Sequence, residues 1–259
     1  LAKPRPKANG KDQMRGSYLG PEFKNNEVKH RLSKAGAKFK EYSEKEIIDK
    51  TAQALADGKA VGWMNGRMEF GPRALGGRSI IADARSPKMQ KLLNLKVKYR
   101  ESFRPFAPSV LREDVSDWFE IDYDSPYMLL VADVKENKRR QMSDEEEALL
   151  GIEKLNAPRS DIPAVTHVDY SARAQTVHKD TNPKYHSLIT RFRELTDCPV
   201  IVNTSFNVRG EPIICSPLDA FRCFMGTELD VLVVGNFILI KEDQDPQLAA
   251  NYETSYELD

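Results

Sequence analysis

The chain has few of the features that mark a secreted, membrane-bound or metal-centred protein. Its 259 residues hold three cysteines, Cys198, Cys215 and Cys223, too few and too widely spaced for a disulfide framework. Free thiols fit a reducing cytoplasm, and that location is expected. No run approaches the roughly 20 apolar residues that a membrane-spanning helix needs. A secretory pattern of charge, apolar run and small-residue cleavage site is missing. The four histidines, His30, His167, His178 and His186, show no ligand spacing with one another or with cysteine, so no metal centre is expected. The G-x-S-x-G pattern of a nucleophile elbow is also missing. Net charge is zero, with 39 Lys and Arg against 39 Asp and Glu, which disfavours a general nucleic-acid binder. Disorder is excluded too, because 40% of the residues are apolar.

The charge that is present is unevenly placed. Residues 67–104 hold six Arg and four Lys against three acids, a local surplus of seven. Arg predominates, and its planar fork matches phosphate and carboxylate oxygens. These arginines sit among Gly and Pro rather than along one helical stripe, which favours a convergent anion site over a solvated face. At the ends, residues 1–7 read as a linker without an initiator Met. The chain therefore reads as the C-terminal piece of something longer. Residues 242–259 carry six acids and no Lys or Arg, the pattern of a solvated tail.

Residues 1–42 are polar, basic and poorly periodic, and read as an arm. Ser43-Glu44-Lys45-Glu46 is a capping box before the apolar face of Ile47, Ile48, Thr51, Ala52, Leu55 and Ala56, which predicts a helix ended by Gly58. Strands are expected at 60–64, 79–82, 106–111 and 127–134. A helix over 87–98 has Pro87 at its first position. A second, over 143–155, has acids in the first turn, where the helix dipole favours them. Residues 165–169 and 173–177 read as paired strands around the turn 170–172. Helices over 183–195 and 217–225 enclose a buried strand at 199–203, and one long strand is expected over 230–240. Strands alternating with helices place the chain in the α/β class, with a sheet covered by helices.

Four segments could carry chemistry. In the first, residues 66–79, glycines let backbone N–H groups approach a ligand and form an anion-binding nest, while Arg67, Arg73 and Arg78 add bidentate donors. The alternative is a plain turn held by Glu69 pairing with Arg67 or Arg73. The second, residues 99–108, places Arg104 between Phe103 and Pro105-Phe106. Such a guanidinium is expected to be partly buried and to need a partner, either a ligand phosphate or an internal Glu. In the third, strand alternation puts Arg173 and Gln175 on one face. The fourth, residues 203–212, gathers Asn203, Thr204, Ser205, Asn207 and Arg209 beyond an apolar strand, where ligands of α/β sheets sit.

Four sequences from these segments, GRMEFGPRALGGRSIIA (66–82), FRPFAPSVL (103–111), ARAQTV (172–177) and NTSFNVRGEPI (203–213), resemble the C-terminal part of the O-carbamoyltransferases of the nodulation and antibiotic-modifying type. Tyr18-Leu19-Gly20-Pro21 is similar to the segment that enters that domain. The resemblance covers about residues 17–241. It implies a YrdC-like α/β domain over 43–241, with a twisted mixed sheet flanked by helices. Residues 1–42 would then lead from an N-terminal Kae1-like domain, and 242–259 would be the acidic tail. It further implies that this domain binds ATP and carbamoyl phosphate and makes carbamoyl adenylate, and that the N-terminal domain transfers the carbamoyl group to a hydroxyl. By the same resemblance Arg73, Arg104 and Arg173 would hold carbamoyl phosphate and the phosphates. Asn203 and Ser205 would contact ATP, with Arg67, Arg78 and Arg209 in support. Mg²⁺ would accompany ATP, although no carboxylate pair stands out as its ligand. The competing reading is a YrdC-like nucleotide- or RNA-binding module without chemistry. Zero net charge and few aromatics near the arginines disfavour RNA.

Overall fold

In the computed structural model, residues 12, 14–101, 104–155 and 157–249 are described. The expected linker at 1–7, Phe103 and the last ten residues of the acidic tail lie outside them. In chain order the elements are α1 (Asn25–Lys34), β1 (Lys40–Glu41), α2 (Glu44–Ala56), β2 (Val61–Met64), β3 (Arg78–Asp83), α3 (Met89–Lys96), β4 (Ala107–Leu111) and α4 (Val115–Trp118). There follow β5 (Ala132–Asp133), α5 (Asp144–Glu147), α6 (Gly151–Leu155), β6 (Ser171–Ala172), β7 (Gln175–Val177), α7 (Pro183–Thr196), β8 (Val200–Ser205), α8 (Pro217–Met225), β9 (Val231–Val234) and β10 (Phe237–Ile240). Eight strands form one mixed sheet in the order β1-β10-β9-β2-β3-β8-β4-β7, and β5 and β6 form a two-stranded sheet. The α/β class and the helix-flanked mixed sheet are as the sequence implies.

Local sequence explains most elements. The Ser43 cap closes as read: Glu46 N–H donates to Ser43 Oγ at 3.4 Å, and Ser43 N–H donates to Glu46 Oε2 at 2.9 Å. Helix α7 starts at Asn182, whose Oδ1 accepts the Tyr185 N–H at 3.2 Å, with Pro183 at the first position. Strands β2, β3, β4 and β9 are buried along their whole length; β2 and β9 are apolar throughout, whereas β3 also buries Arg78, Ser79 and Asp83 at its ends. Trp63, Tyr185, Phe192, Phe206, Phe224 and Phe237 are fully enclosed, and each such side chain contributes roughly 1.5–3 kcal/mol. Among the described residues, no helix is long and apolar enough to cross a membrane.

Several expectations are corrected. Before residue 43, where no element was expected, α1 buries Val28 and Leu32, and β1 pairs with β10. Two apolar residues one turn apart are too little periodicity to read a helix from. The long strand 230–240 is a hairpin, β9 and β10, turned at Gly235-Asn236 with Gly235 at φ +58°. The helix expected over 143–155 is two short helices, α5 and α6. Of 127–134 only β5 is strand. The pairing of 165–169 with 173–177 does not form. Instead β6 pairs with β5, and β7 runs parallel to β4. Tyr170 at φ +64° turns the chain toward β5, a long-range partner invisible in local sequence.

The register explains where the motifs meet. Strand β8 is antiparallel to both β3 and β4, with Ser79 opposite Ser205 and Ala107 opposite Asn203. Its C-terminal end therefore lies beside the N-terminal ends of β3 and β4. Parallel pairing of β7 with β4 brings the start of β7 to the same end. All four candidate segments enter or leave the sheet there.

Replacing Ser43 with Ala is expected to destabilise the chain by about 1 kcal/mol. Urea unfolding should show a lower midpoint with an unchanged slope.

Candidate functional site

Arg104, Ser205 and Arg209 line one cavity of about 480 Å³, together with Lys98 and Arg100. Arg104 is not partly buried as expected. Its side chain is 53% exposed and pairs with Glu101 at 3.0 Å, the internal acid of the two partners foreseen. Arg100 takes the aromatic contact instead, over the Phe106 ring at 4.9 Å, with Nε donating to Asn94 Oδ1 at 2.6 Å. Arg104 precedes β4, in the segment that leads into the strand, and is exposed.

Lys98 is a residue that the sequence reading missed. It is 5% exposed, and its Nζ donates to Ser205 O at 2.5 Å, Asn207 O at 2.8 Å and Asn207 Oδ1 at 2.7 Å. No carboxylate forms an ion pair with it among the described residues. Burial pulls its pKa down to about 7. In sequence it is one of ten basic residues in a row of mixed turns and helix, and only the fold singles it out.

Behind the cavity, Asn203 ties three segments together. Its Nδ2 lies 3.2 Å from Ala74 O, 3.0 Å from Ser109 Oγ and 2.8 Å from Gln175 Oε1. Its Oδ1 is buried without a partner. Ser109 Oγ donates to Gln175 Oε1 at 2.6 Å and accepts from Tyr185 at 3.0 Å. Arg173 precedes β7 rather than lying on it, so strand alternation does not govern its direction. Its Nε is buried without a hydrogen-bond partner, and no carboxylate pairs with it among the described residues. Burial, and then the nearby charge of Arg73, push its pKa down from the usual arginine value. The two guanidinia thus disfavour each other's charge, and neither forms an ion pair among the described residues.

The glycine-rich turn differs from the expected empty nest. Its N–H groups are taken by the protein's own Glu69: Oε1 accepts from Leu75 at 2.6 Å, Gly77 at 2.5 Å and Arg78 at 3.3 Å. Gly77 is required there, because a Cβ would lie 2.8 Å from Arg67 O and 3.1 Å from the Glu69 carboxyl. Glu69 pairs with neither Arg67 nor Arg73. Arg78 is fully buried and spends its guanidinium on the carbonyls of Gly77, Gly66, Pro21 and Cys215 at 2.8–3.3 Å. It lines neither of the cavities described here. Arg67 lines a second, larger cavity of about 1150 Å³ with Tyr18, Asn65 and Lys184, and donates to Leu19 O at 3.1 Å. Among the described residues, no three His, Cys, Asp or Glu side chains gather as a metal site.

The chain matches the family profile described as "Carbamoyltransferase C-terminus" over residues 52–241. It is 59% identical, over 96% of its length, to an uncharacterized protein of Synechocystis sp., of which it covers 41%. It is 39% identical over 92% of its length to the nodulation protein NolNO of Sinorhizobium fredii, covering 32% of that protein. It is 38% identical over 71% of its length to the 3'-hydroxymethylcephem-O-carbamoyltransferase of Streptomyces clavuligerus, covering 31%. The chain thus spans between 31% and 41% of the length of these relatives.

Lys98 is charged below about pH 7 and neutral above it. Sulfate, which does not titrate in this range, should therefore bind more weakly as pH rises through 7. Calorimetric titration at a series of pH values should show this fall in the wild type and a flat profile in Lys98→Met.

Proposed function

We propose, because this chain belongs to the carbamoyltransferase C-terminal family, that it binds ATP and carbamoyl phosphate and joins them as carbamoyl adenylate. The carbamoyl group then passes to a hydroxyl held by a further, Kae1-like domain, in a protein of the length that the relatives have. Residues 43–241 would be the YrdC-like adenylating domain of that enzyme.

The observation that carries this reading is the convergence of cations at one end of the sheet. Lys98, Arg100, Arg104 and Arg209 line a cavity together with Glu211, and the charge of Arg73 helps to depress the pKa of Arg173. ATP and carbamoyl phosphate bring roughly five to six negative charges at neutral pH, and their mutual repulsion must be offset before they can react. Fixed guanidinia offset it without reorganising during the reaction.

The chemistry needs no protein nucleophile. Carbamoyl phosphate first loses its phosphate to water, leaving carbamate. An oxygen of carbamate attacks the α-phosphorus of ATP. A new P–O bond forms as the bond to the β-phosphate bridge breaks, and pyrophosphate leaves with that electron pair. Arg73, Arg104 and Arg173 would hold the carbamoyl and phosphate oxygens. Ser205, at the end of β8, would meet ATP with Arg209 beside it, Asn203 would hold the segments together from behind the cavity, and Arg67 would act from the second cavity. Lys98 joins this set through its contacts with Ser205 and Asn207. Arg78 acts through the backbone it pins. Mg²⁺ would enter with the ATP phosphates, since the described residues assemble no carboxylate site for it.

Replacing Arg104 with Ala should weaken carbamoyl phosphate binding by about a hundredfold while leaving the unfolding midpoint unchanged. Calorimetry with ATP and carbamoyl phosphate, followed by a pyrophosphate-release assay, checks both halves. Normal affinity in the variant would sink the role of Arg104. Steeply salt-dependent RNA binding, with no pyrophosphate release, would favour the RNA-binding alternative.

A further inference from the structure

The glycine-rich turn holds a carboxylate for which the chemistry above has no use. Glu69 is 5% exposed, and one of its oxygens closes on three backbone N–H groups while the other, Oε2, is buried with no partner. Burying a carboxylate is costly, and here the charge of the buried Arg78 offsets part of that cost, while Glu69 leaves the exposed Arg67 and Arg73 unneutralised. Glu69 stands two residues from Arg67 and four from Arg73, near enough in sequence to neutralise either. It pairs with neither among the described residues.

The connections of the turn indicate what this arrangement does. Glu69 grips the N–H of Leu75, and the carbonyl of Leu75 accepts from Gln175 Nε2 at 2.8 Å and Tyr18 OH at 2.6 Å. Gln175 lies two residues after Arg173. The segment carrying Arg73 and the segment carrying Arg173 are thus joined through Leu75, one of the N–H groups that Glu69 holds. Between Glu69 and Leu75 the tip faces outward, with Phe70 72% exposed and Arg73 exposed, and it is tethered on either side of Arg73: Phe70 N–H donates to Ser17 O at 2.7 Å and Ala74 O accepts from Asn203 Nδ2 at 3.2 Å. The position of Arg73 is therefore set by Glu69 at the base of the turn together with these two tethers.

We propose that Glu69 is the positioning residue of the anion site. Its carboxylate sets the turn so that Arg73 faces Arg173, and by lying inward on the backbone it leaves both guanidinia open to an outside phosphate-class anion. This role rests on the reading of that site as one that binds phosphates.

The test is a double-mutant cycle on the whole chain, with inorganic phosphate as the calorimetric probe. Glu69→Gln should lower phosphate affinity about tenfold, the size of coupling expected between contacting segments. In an Arg73→Ala background the same change should have no further effect, because there is no Arg73 left to position. A merely structural Glu69 would lower affinity equally in both backgrounds, and that result would overturn the proposal. So would unchanged affinity in a folded Glu69→Gln variant. Should that variant fail to fold, Glu69→Asp keeps the charge but shortens the reach. It should still lose affinity in the Arg73 background alone, and unchanged affinity there overturns the role. A wild-type chain that binds phosphate while the cycle shows no coupling rejects only the role of Glu69. A wild-type chain that binds no phosphate rejects the site and this role together.

Discussion

Like charges gathered at one end of a sheet repel, and much of the local structure can be read as a way of tolerating that repulsion. Two unit charges 4 Å apart cost about 4 kcal/mol at an effective dielectric of 20. Each cation here is accommodated differently. Arg104 remains half in solvent with Glu101 beside it, and Arg100 lies on the Phe106 ring. Lys98 is caged by carbonyl and amide oxygens and holds its proton weakly. Arg78 is surrounded by backbone carbonyls. Arg73 and Arg173 disfavour each other's charge and form no ion pair among the described residues, which agrees with the anion site proposed there.

The sheet makes that concentration possible. Antiparallel neighbours return the chain to the same end, so segments far apart in sequence open onto one place. Asn203 then binds those segments to one another. Its amide reaches the glycine-rich turn, β4 and β7 at once, and replaces what three separate turns would otherwise have to hold. The rigidity is that of strands rather than loops, which suits groups that must be in place before a charged ligand arrives.

Some of the site could be read from residue types alone. A surplus of Arg among Gly and Pro marked a candidate anion site, and Asn203 and Ser205 were marked as candidates by lying past an apolar strand. What could not be read was the use of each group. Arg67, Arg78 and Arg104 look alike in sequence, yet one lines a separate cavity, one is consumed by carbonyls and one pairs with Glu101. Glu69 suggested an ion pair and instead fills the nest. Lys98 gave no signal, because its depressed pKa comes from burial by β8 and the loop after it.

For the fold the division has the same cause. Capping residues, Pro at first helical positions and apolar runs act over a few residues, so α2, α7, α8 and the core strands β2, β3, β4 and β8 were legible without coordinates. The α/β class followed from their alternation. Elements that exist only through distant partners were not legible. Helix α1 shows two apolar residues and is held by what it packs on, β1 is a strand because β10 lies beside it, and β5 and β6 define each other. Local chemistry could decide which segments had a preferred shape. The pairing order of the sheet, and with it the meeting of Arg73, Arg104, Arg173 and Ser205 at one end, required the whole chain, because hydrogen-bond register between remote strands leaves no trace in the residues around either one.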